Sequence, residues 1–293
     1  MDINHKSGFA AILGKPNVGK STLMNLIIGE KLSIITSKPQ TTRLPVKGIY
    51  SDDNLQIVFQ DLPGYLKPRY ALQERMLKYI KNSLLDCDVI IFITDAKTYP
   101  TSYDKDLLGM IRKLQIPKLA ILNKIDLVSE SQLQTKEKLL SQENFAKIFI
   151  GSLIKDFNKN KLIEEITNYL PKNPPFYDKE DISDLSLRFF LQEIIREQIF
   201  IRLKKEIPYA TTVVVEMYKD FSNKAIISAN IWVERKTQKI ILIGKNGRQI
   251  KKIRIAAEKE FHKIIRKRVK LDLWVKIKKN WRKKKNALKE FGY

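Results

Sequence analysis

The sequence of 293 residues has one cysteine, two histidines and no long apolar run. The single cysteine, Cys87, excludes internal disulfides and cysteine-based zinc sites, and this fits a reducing compartment. No run approaches the 18 apolar residues of a membrane-spanning helix, and the first residues lack the charged-then-apolar pattern of a signal peptide. We therefore expect a cytosolic protein whose membrane contact, if it has any, is peripheral, at the inner face of the cell membrane.

Acidic residues are scarce only in the second part of the chain. Residues 1–180 hold 26 lysines and arginines against 20 acidic residues, whereas residues 181–293 hold 29 against 12. Of the net charge of +23, +17 therefore lies in the last 113 residues. Such concentrated positive charge indicates a polyanionic partner, most commonly nucleic acid and next anionic lipid. A general bias of the proteome towards lysine would not explain the asymmetry.

The chain is long for one hydrophobic core, which favours two domains. In residues 1–170, short apolar segments alternate with helical patterns, and this predicts a doubly wound α/β domain. Three prolines within residues 171–175 predict an extended linker over 171–185. The predicted strands are 9–13, 55–59, 89–94, 119–122 and 148–150, and the predicted helices are 20–29, 69–85, 103–114, 131–143 and 159–169.

Residues 186–293 predict an α+β domain. A helix, two strands, a G-K-N-G segment, a basic helix and a last strand follow one another, and a basic tail ends the chain. The segment K-T-Q-K-I-I-L-I is ambiguous between a strand and a short helix. Trp274 stands in an alternating strand, so we expect its side chain in the core, whereas Trp281 stands among the cations of the tail. The two helices are predicted over 184–206 and 248–268, and the three strands over 211–218, 225–233 and 269–278.

The segment G-K-P-N-V-G-K-S at 14–21 fits the phosphate-loop pattern G-x-x-x-x-G-K-[ST] in full, between a predicted strand and a predicted helix. Glycines allow backbone N–H groups to surround phosphates at the positive end of the helix. Lys20 is therefore predicted to reach the β- and γ-phosphates of a nucleotide, and Ser21 to ligate Mg²⁺.

Two further segments are predicted to complete the nucleotide site. N-K-I-D at 123–126 follows a predicted strand, and the carboxylate of Asp126 can accept from both N1–H and the exocyclic amine of guanine, an arrangement that adenine lacks. Asn123 would bind N7 of guanine and stabilise its own loop, while the aliphatic part of the Lys124 side chain would pack over the base. D-L-P-G at 61–64 ends another strand, so Asp61 is predicted to hold Mg²⁺ through water and Gly64 to sense the γ-phosphate.

Together these motifs, with the closing L-W-V-K-I-K-x-x-W and A-L-K-E-F-G-Y, resemble those of the Era family of bacterial KH-domain GTPases, in the translation-factor-like class. The resemblance implies a GTPase, slow without a partner, that uses GTP/GDP and Mg²⁺. The segment K-P-Q-T-T-R-L at 38–44 would supply Thr42, rather than Thr41, to Mg²⁺ only when the third phosphate is present, since the threonine just before the arginine does this in related GTPases. Asn17 would bind K⁺ in the place of an arginine finger, and the hydrophobic Tyr65 would replace the glutamine of Ras-like proteins.

The resemblance extends to the guanine loop, where Ser152 would present its backbone to the guanine O6. The chain departs from the family pattern at Leu62, where threonine is usual, and at Leu153, where alanine is usual. No histidine lies near these motifs, so catalysis must rest on positioning and charge neutralisation. The predicted GTP-binding residues are Gly14, Lys15, Pro16, Asn17, Val18, Gly19, Lys20, Ser21, Thr22, Asp61, Leu62, Pro63, Gly64, Tyr65, Asn123, Lys124, Ile125, Asp126 and Ser152, of which Asn17, Lys20, Asp61 and Gly64, with Thr42, are the predicted catalytic residues.

The second half is similar to a type II KH domain, in which a G-x-x-G loop between two helices clamps about four nucleotides of single-stranded RNA. The family resemblance implies that this RNA is the 3′ end of 16S ribosomal RNA, bound by a monomer during assembly of the 30S subunit, with a link to cell growth and division. GTP would order the two domains so that the KH surface is exposed. The predicted RNA-binding residues are Ile243, Gly244, Lys245, Asn246, Gly247, Arg248 and Lys251.

Three interpretations stay open at this point. The chain is a GTPase switch for ribosome assembly, an RNA-binding protein that binds GTP but barely hydrolyses it, or a peripheral membrane GTPase. The second is motivated by Leu62 and Leu153. The third is motivated by the tail at 276–285, which can track RNA phosphates, contact anionic lipid or form a solvated helix face.

Overall fold

A computed structural model describes residues 5–293, which form two compact units. The first unit runs up to Pro68 and continues over Gln73–Asp184, and the second comprises Arg69–Leu72 and Leu185–Tyr293. Among the residues described, no helix combines the length and the apolar character needed to cross a membrane.

The first unit is built on a six-stranded sheet of order 2-3-1-4-5-6, in which the second strand is antiparallel to the third and all other neighbours are parallel. A helix follows every strand of this sheet except the second. The elements of this unit are β1 (Lys6–Leu13), α1 (Lys20–Ile28), β2 (Val46–Ser51), β3 (Leu55–Asp61), α2 (Ala71–Leu85, whose first two residues are assigned to the second unit), β4 (Val89–Asp95), α3 (Ser102–Ile111), β5 (Lys118–Asn123), α4 (Glu130–Leu140), β6 (Lys147–Ile150) and α5 (Lys159–Tyr169).

Helices cover both faces of this sheet. On β1, Ala10 and Ile12 pack into an apolar cluster with α1 and α5, whereas Ala11 and Leu13 pack into a second cluster with α2, α3 and α4. Every residue of β4 is buried, as expected for a central strand of a parallel sheet whose two faces are covered. The prediction of a doubly wound α/β domain is confirmed.

Strand β2 is the element of the first unit that the sequence did not predict. Its segment V-K-G-I-Y-S carries a glycine, which weakens the pattern of a strand. In the structure, a Cβ atom at Gly48 would lie 2.4 Å from the sulfur of Met24 and 2.9 Å from Cγ1 of Ile28. The glycine therefore allows α1 to pack directly against the backbone of β2.

The segment after α5 is fastened to the first unit by hydrogen bonds. The backbone N–H of Ile49 in β2 donates to the carbonyl oxygen of Ile182 at 2.9 Å. The side-chain amide of Gln56 donates to the carbonyl oxygen of Tyr177 at 2.8 Å and accepts from the N–H of Phe176 at 2.7 Å. The stretch predicted as an extended linker over 171–185 thus runs along the edge of the sheet as far as Asp184.

The second unit has a three-stranded sheet, with the first strand antiparallel and the third parallel to the middle one. One face of the sheet packs on three helices around a single apolar core. The ambiguous segment 236–243 is a helix, and the α+β type II KH order is confirmed. The elements are α6 (Leu187–Arg202), β7 (Thr212–Asp220), β8 (Lys224–Val233), α7 (Lys236–Ile243), α8 (Arg248–Ile265), β9 (Arg268–Ile277) and α9 (Lys285–Glu290).

The two tryptophans at the end of the chain occupy the opposite environments from those predicted. Trp274 on β9 is 63% exposed, so the prediction that it lies in the core was wrong. Trp281 is fully buried; its indole Nε1 donates to the carbonyl oxygen of Ala210 at 2.9 Å, and its ring stacks on Tyr293. The tryptophan of the basic tail is therefore an anchor of the fold rather than a contact for RNA or lipid.

Candidate functional site

The loop between β1 and α1 has the backbone of a phosphate-binding loop. Asn17 and Gly19 adopt left-handed conformations, with φ of 64° and 113°. A Cβ atom at Gly14 would lie 2.3 Å from the carbonyl oxygen of Ile93, so glycine is required there by close approach. Helix α1 begins at Lys20, and its positive end therefore faces the loop.

Lys20 is the buried cation of this loop. Its ammonium group donates to the carbonyl oxygen of Lys15 at 3.0 Å. Burial lowers the pKa of Lys20 to about 8, and the attraction of the Asp61 carboxylate opposes only part of that shift. An anion bound at the loop would stabilise the charged ammonium, which suits a phosphate group.

Three oxygen-bearing side chains meet beside Lys20. The hydroxyl of Ser21 donates to Oδ2 of Asp61 at 2.6 Å and lies 3.1 Å from the hydroxyl of Thr42, which itself donates to Oδ2 at 3.4 Å. Oδ1 of Asp61 is buried without a hydrogen-bond partner among the described residues. Burial raises the pKa of Asp61, against the opposing effect of Lys20. Two hydroxyls and a carboxylate are the hard oxygen ligands that Mg²⁺ prefers, so the residues fit this ion.

The N-K-I-D segment closes the other end of the site. The side-chain amide of Asn123 donates to the carbonyl oxygen of Val18 at 2.7 Å and accepts from the N–H of Leu153 at 3.0 Å. Asn123 thus fixes the phosphate loop and the guanine loop to each other. Lys124, with φ of 62°, donates from its ammonium to the carbonyl oxygen of Asn17. The carboxylate of Asp126 lies only 3.9 Å from the ammonium of Lys155.

These segments enclose a pocket of about 490 Å³. Twelve predicted residues line it: Pro16, Asn17, Gly19, Lys20, Ser21, Thr22, Thr42, Gly64, Asn123, Lys124, Asp126 and Ser152. The other predicted residues, Gly14, Lys15, Val18, Asp61, Leu62, Pro63, Tyr65 and Ile125, are not among its lining. The sequence did not predict the lining residues Ile34, Ile35, Thr36, Ser37, Gln40, Thr41, Leu127 and Ile154.

Lys15 points away from the pocket. Its ammonium donates to Oδ2 of Asp104 at 2.6 Å, and both side chains are buried. Asp104 also accepts from the hydroxyl of Thr94 at 2.9 Å and from the N–H of Thr101 at 2.8 Å, at the start of α3. The side chain of Lys15 therefore links the phosphate loop to the sheet and to α3, while its backbone carbonyl accepts the hydrogen bond from Lys20.

Tyr65 and the two departures from the family pattern are also directed into the protein. The hydroxyl of Tyr65 donates to Asp106 at 3.3 Å, and the ring packs in the same apolar cluster as Leu62. Leu62 is fully buried, and Leu153 packs in the cluster beneath α1. Both leucines therefore fill the core rather than the pocket.

In the second unit, the G-K-N-G turn joins α7 to α8. Gly244, Asn246 and Gly247 have φ values of 73°, 52° and 72°, and a Cβ atom at Gly244 would lie 2.7 Å from Cβ of Gln249. The side chains of Lys245 and Arg248 are exposed, and neither has an ion-pair partner within residues 5–293. The turn thus presents unpaired positive charge on a compact backbone, as the sequence predicted for a phosphate clamp.

A groove of about 350 Å³ begins in the first turn of α8. It lies between α8 and the edge strand β9, directly after the G-K-N-G turn in the chain. Its lining residues are Ile250, Lys251, Arg254, Leu271, Asp272, Leu273 and Trp274.

Comparisons with known proteins identify a GTPase domain and a KH domain. The sequence model of the 50S ribosome-binding GTPase family matches residues 9–124, and that of the KH domain matches residues 206–282. GTPase Era of Halothermothrix orenii is 39% identical over 292 residues, which cover 99% of each chain. A crystal structure of Era in complex with MgGDPNP and nucleotides 1506–1542 of 16S ribosomal RNA is 34% identical, with a TM-score of 0.94 over 99% of both chains. A variant of Aquifex aeolicus Era bound to GDP and AlF₄⁻ is also 34% identical, with a TM-score of 0.94 over 98% of this chain and 99% of that one.

The phosphate loop, the N-K-I-D segment and the G-x-x-G turn define a GTPase of the P-loop class that carries a KH domain. Full-length similarity to a curated relative narrows the class further. The chain belongs to the Era family of GTPases.

Proposed function

We propose that this GTPase is a switch that binds the 3′ end of 16S ribosomal RNA through its KH domain and acts in assembly of the small ribosomal subunit. The observation that carries the proposal is that one chain holds both a guanine-nucleotide pocket and an exposed cationic G-K-N-G turn. The Era protein crystallised with MgGDPNP and nucleotides 1506–1542 of 16S ribosomal RNA supports both halves of it.

We infer that Mg²⁺ is held directly by Ser21 and Thr42 and through water by Asp61. The partnerless Oδ1 of Asp61 supports this because a bound water would supply its missing donor. When bound, Mg²⁺ would neutralise charge on the β- and γ-phosphates. Thr42 reaches this cluster from the loop before β2, so the order of that loop would depend on the nucleotide.

Hydrolysis transfers the γ-phosphoryl group of GTP to water. The bond between the γ-phosphorus and the bridging oxygen breaks, its electron pair leaves with GDP, and the proton of the water passes to the phosphate. The ammonium of Lys20 would stabilise the charge that develops on the phosphates. Tyr65 donates to Asp106 and carries no amide to orient the water, so we expect slow intrinsic turnover.

We propose K⁺ as an additional cofactor at Asn17. The amide nitrogen of Asn17 donates to the carbonyl oxygen of Ser37 at 2.8 Å, and no described residue donates to its Oδ1. This oxygen is therefore available to a cation beside the phosphates. The expected result is faster hydrolysis in K⁺ than in Na⁺ at equal ionic strength, whereas equal rates would contradict the assignment.

We further propose a cytosolic monomer that meets the 30S subunit during assembly. The peripheral membrane alternative depends on the basic tail 276–285. Flotation of the protein with vesicles that contain phosphatidylglycerol tests it. Binding that is lost when the exposed Lys279, Lys283 and Lys284 are replaced by glutamine would favour a lipid contact, and no binding to vesicles would leave RNA as the partner of the tail.

Single-turnover hydrolysis of GTP in K⁺ buffer tests the proposed function. We expect an RNA of nucleotides 1506–1542 to accelerate hydrolysis by the wild type, and a scrambled RNA to have no effect. The Gly247→Asp variant should keep its basal rate but lose the acceleration. Binding of GTP without turnover under any of these conditions would contradict the enzyme and leave a nucleotide-dependent binding module.

A further inference from the structure

Ser33 carries a buried hydroxyl that no contact within residues 5–293 explains. It lies in the segment between α1 and β2, ahead of Thr42, and is only 3% exposed. Its Oγ is buried and has no hydrogen-bond partner of good geometry among the described residues. Buried hydroxyls are costly when they are unsatisfied, and native structures usually satisfy them with protein, water or an ion. The hydroxyl therefore indicates a role that is fulfilled when the nucleotide site is occupied.

Asn25 fixes the backbone of Ser33. Its side-chain oxygen accepts from the N–H groups of Leu32 and Ser33, each at 3.0 Å, and its side-chain nitrogen donates to the carbonyl oxygen of Ser33 at 2.9 Å. Asn25 lies about one turn after Ser21 on α1. The helix that carries Ser21, a proposed ligand of Mg²⁺, therefore also holds Ser33 in place.

The carboxylate of Asp61 lies beside this hydroxyl. Burial raises the pKa of Asp61, and the hydroxyl of Ser33 is among the groups that oppose the shift. A hydroxyl favours an ionised carboxylate in this way only from about hydrogen-bonding range. Oδ2 of Asp61 accepts from Ser21 at 2.6 Å, whereas Oδ1 is buried without a hydrogen-bond partner in the described part of the chain. A donor and an acceptor that both lack partners thus lie close together.

The chemistry of Mg²⁺ gives this pair a use. A carboxylate oxygen has two lone pairs, so Oδ1 of Asp61 can accept from Ser33 and from a Mg²⁺-bound water at the same time. Mg²⁺ demands near-octahedral geometry and keeps several waters, so the direction of each group that contacts those waters matters. Loss of a group that orients a metal site in this way typically costs about 10–100-fold in metal affinity.

We propose that Ser33 is a positioning residue of the Mg²⁺ site, whose hydroxyl donates to Oδ1 of Asp61 and orients that carboxylate towards a Mg²⁺-bound water. The inference rests on the proposed placement of Mg²⁺ at Ser21, Thr42 and Asp61. Thr42 is expected to reach Mg²⁺ only in the triphosphate state. Because α1 holds Ser33 through Asn25, Ser33 acts with GDP as well as with GTP.

The Mg²⁺ dependence of nucleotide release tests this role, because it reports the metal rather than hydrolysis. Full-length protein is loaded with fluorescently labelled GDP or GDPNP, and the Mg²⁺ concentration that halves the release rate is measured. We expect this concentration to rise about tenfold in Ser33→Ala with both nucleotides, and in Thr42→Val with GDPNP only. Ser7→Ala is the matched control and should behave as the wild type, because it removes a buried hydroxyl that donates to the carbonyl oxygens of Asn173 and Pro174 outside the pocket.

A second variant separates a lost hydrogen bond from a cavity. Ser33→Cys has nearly the volume of serine but is a weak donor, so it should require more Mg²⁺ as Ser33→Ala does. Wild-type Mg²⁺ dependence of Ser33→Cys, or an equal rise in Ser7→Ala, would overturn the proposal. A rise with GDPNP alone would also overturn it, because Ser33 would then depend on the third phosphate as Thr42 does.

Two reference variants distinguish failure of this inference from failure of the Mg²⁺ site. Ser21→Ala and Asp61→Asn each change a residue proposed to hold Mg²⁺, and both should raise the Mg²⁺ requirement. If they do so while Ser33→Ala and Ser33→Cys do not, only the role of Ser33 is overturned. If none of the four variants changes the requirement, the proposed placement of Mg²⁺ is overturned as well.

Discussion

Replacement of Lys15 by methionine should destabilise the first unit by about 3 kcal/mol, because it leaves the carboxylate of Asp104 buried without its cation. The side chains of Lys15 and Asp104 are 7% and 0% exposed, and their ion pair spans 2.6 Å. Loss of one partner of a buried pair costs about 3–5 kcal/mol. The donors Thr94 and Thr101, which also contact Asp104, place the effect at the lower end of that range.

A double-mutant cycle isolates this pair. Lys15→Met combined with Asp104→Asn removes both charges, so we expect the double variant to be more stable than the sum of the single effects by at least about 2 kcal/mol. All three tryptophans, Trp232 among them, lie in the second unit. Hydrogen exchange of the β4 amides is therefore the suitable measure of the first unit.

The same cycle has a functional consequence. The carbonyl oxygen of Lys15 accepts a hydrogen bond from the ammonium of Lys20, so displacement of the phosphate loop should also weaken GTP binding. Lys113→Met removes an exposed lysine and serves as the matched control. Additive effects of the two substitutions, or a loss below about 1 kcal/mol for Lys15→Met, would refute a buried ion pair that positions the loop.

Three further predictions follow from burial and charge. Trp281→Ala should cost the second unit about 3–5 kcal/mol in thermal melting, whereas Trp274→Ala should change stability by less than about 0.5 kcal/mol; equal effects would contradict their environments. Burial lowers the pKa of Lys20 to about 8 from 10.5, so the folded unit binds fewer protons than the unfolded chain between these values, and its stability should rise with pH there. Hydrogen exchange in nucleotide-free protein, corrected for intrinsic exchange rates, measures this rise in stability. The rise should be absent from Lys20→Met, and parallel pH profiles of the two proteins would contradict the prediction. Asp126→Asn removes one of the two carboxylate oxygens that we propose accept from guanine, so it should weaken GTP binding by at least about a hundredfold in a fluorescence titration. Unchanged affinity would show that Asp126 does not bind the base.

The motifs of the nucleotide site could be predicted because their chemistry fixes both residue type and spacing. Lys20, Ser21, Asn123 and Asp126 all line one pocket although more than 100 residues separate the first from the last. The stretch 34–37 was missed because I-I-T-S has no such fixed pattern and reaches the pocket only through the fold. Lys15 was assigned to the pocket from its place in the loop, whereas its partner Asp104 lies 89 residues away.

The exchange of environments between Trp274 and Trp281 shows a physical limit of sequence patterns. Alternation along β9 identifies two faces but not the one that the helices cover, and Leu271 and Val275 occupy the covered face. Trp281 stands among lysines, which suggests an exposed tail. Its burial depends on contacts with Ala210 and Tyr293 that no local pattern reveals.

We propose that the bound nucleotide controls the affinity of this chain for RNA and that the G-K-N-G turn binds the RNA. The most direct measurement is the affinity for an RNA of nucleotides 1506–1542 in the presence of GDPNP and of GDP, for the wild type and for Gly244→Asp combined with Gly247→Asp. We predict tighter binding with GDPNP than with GDP, and no RNA binding by the variant, whose GTP affinity stays that of the wild type. Thermal melting of the variant controls for folding, since Gly244 and Gly247 have φ values of 73° and 72° and an aspartate is strained there. Equal RNA affinity of the variant and the wild type in both nucleotide states would contradict the account.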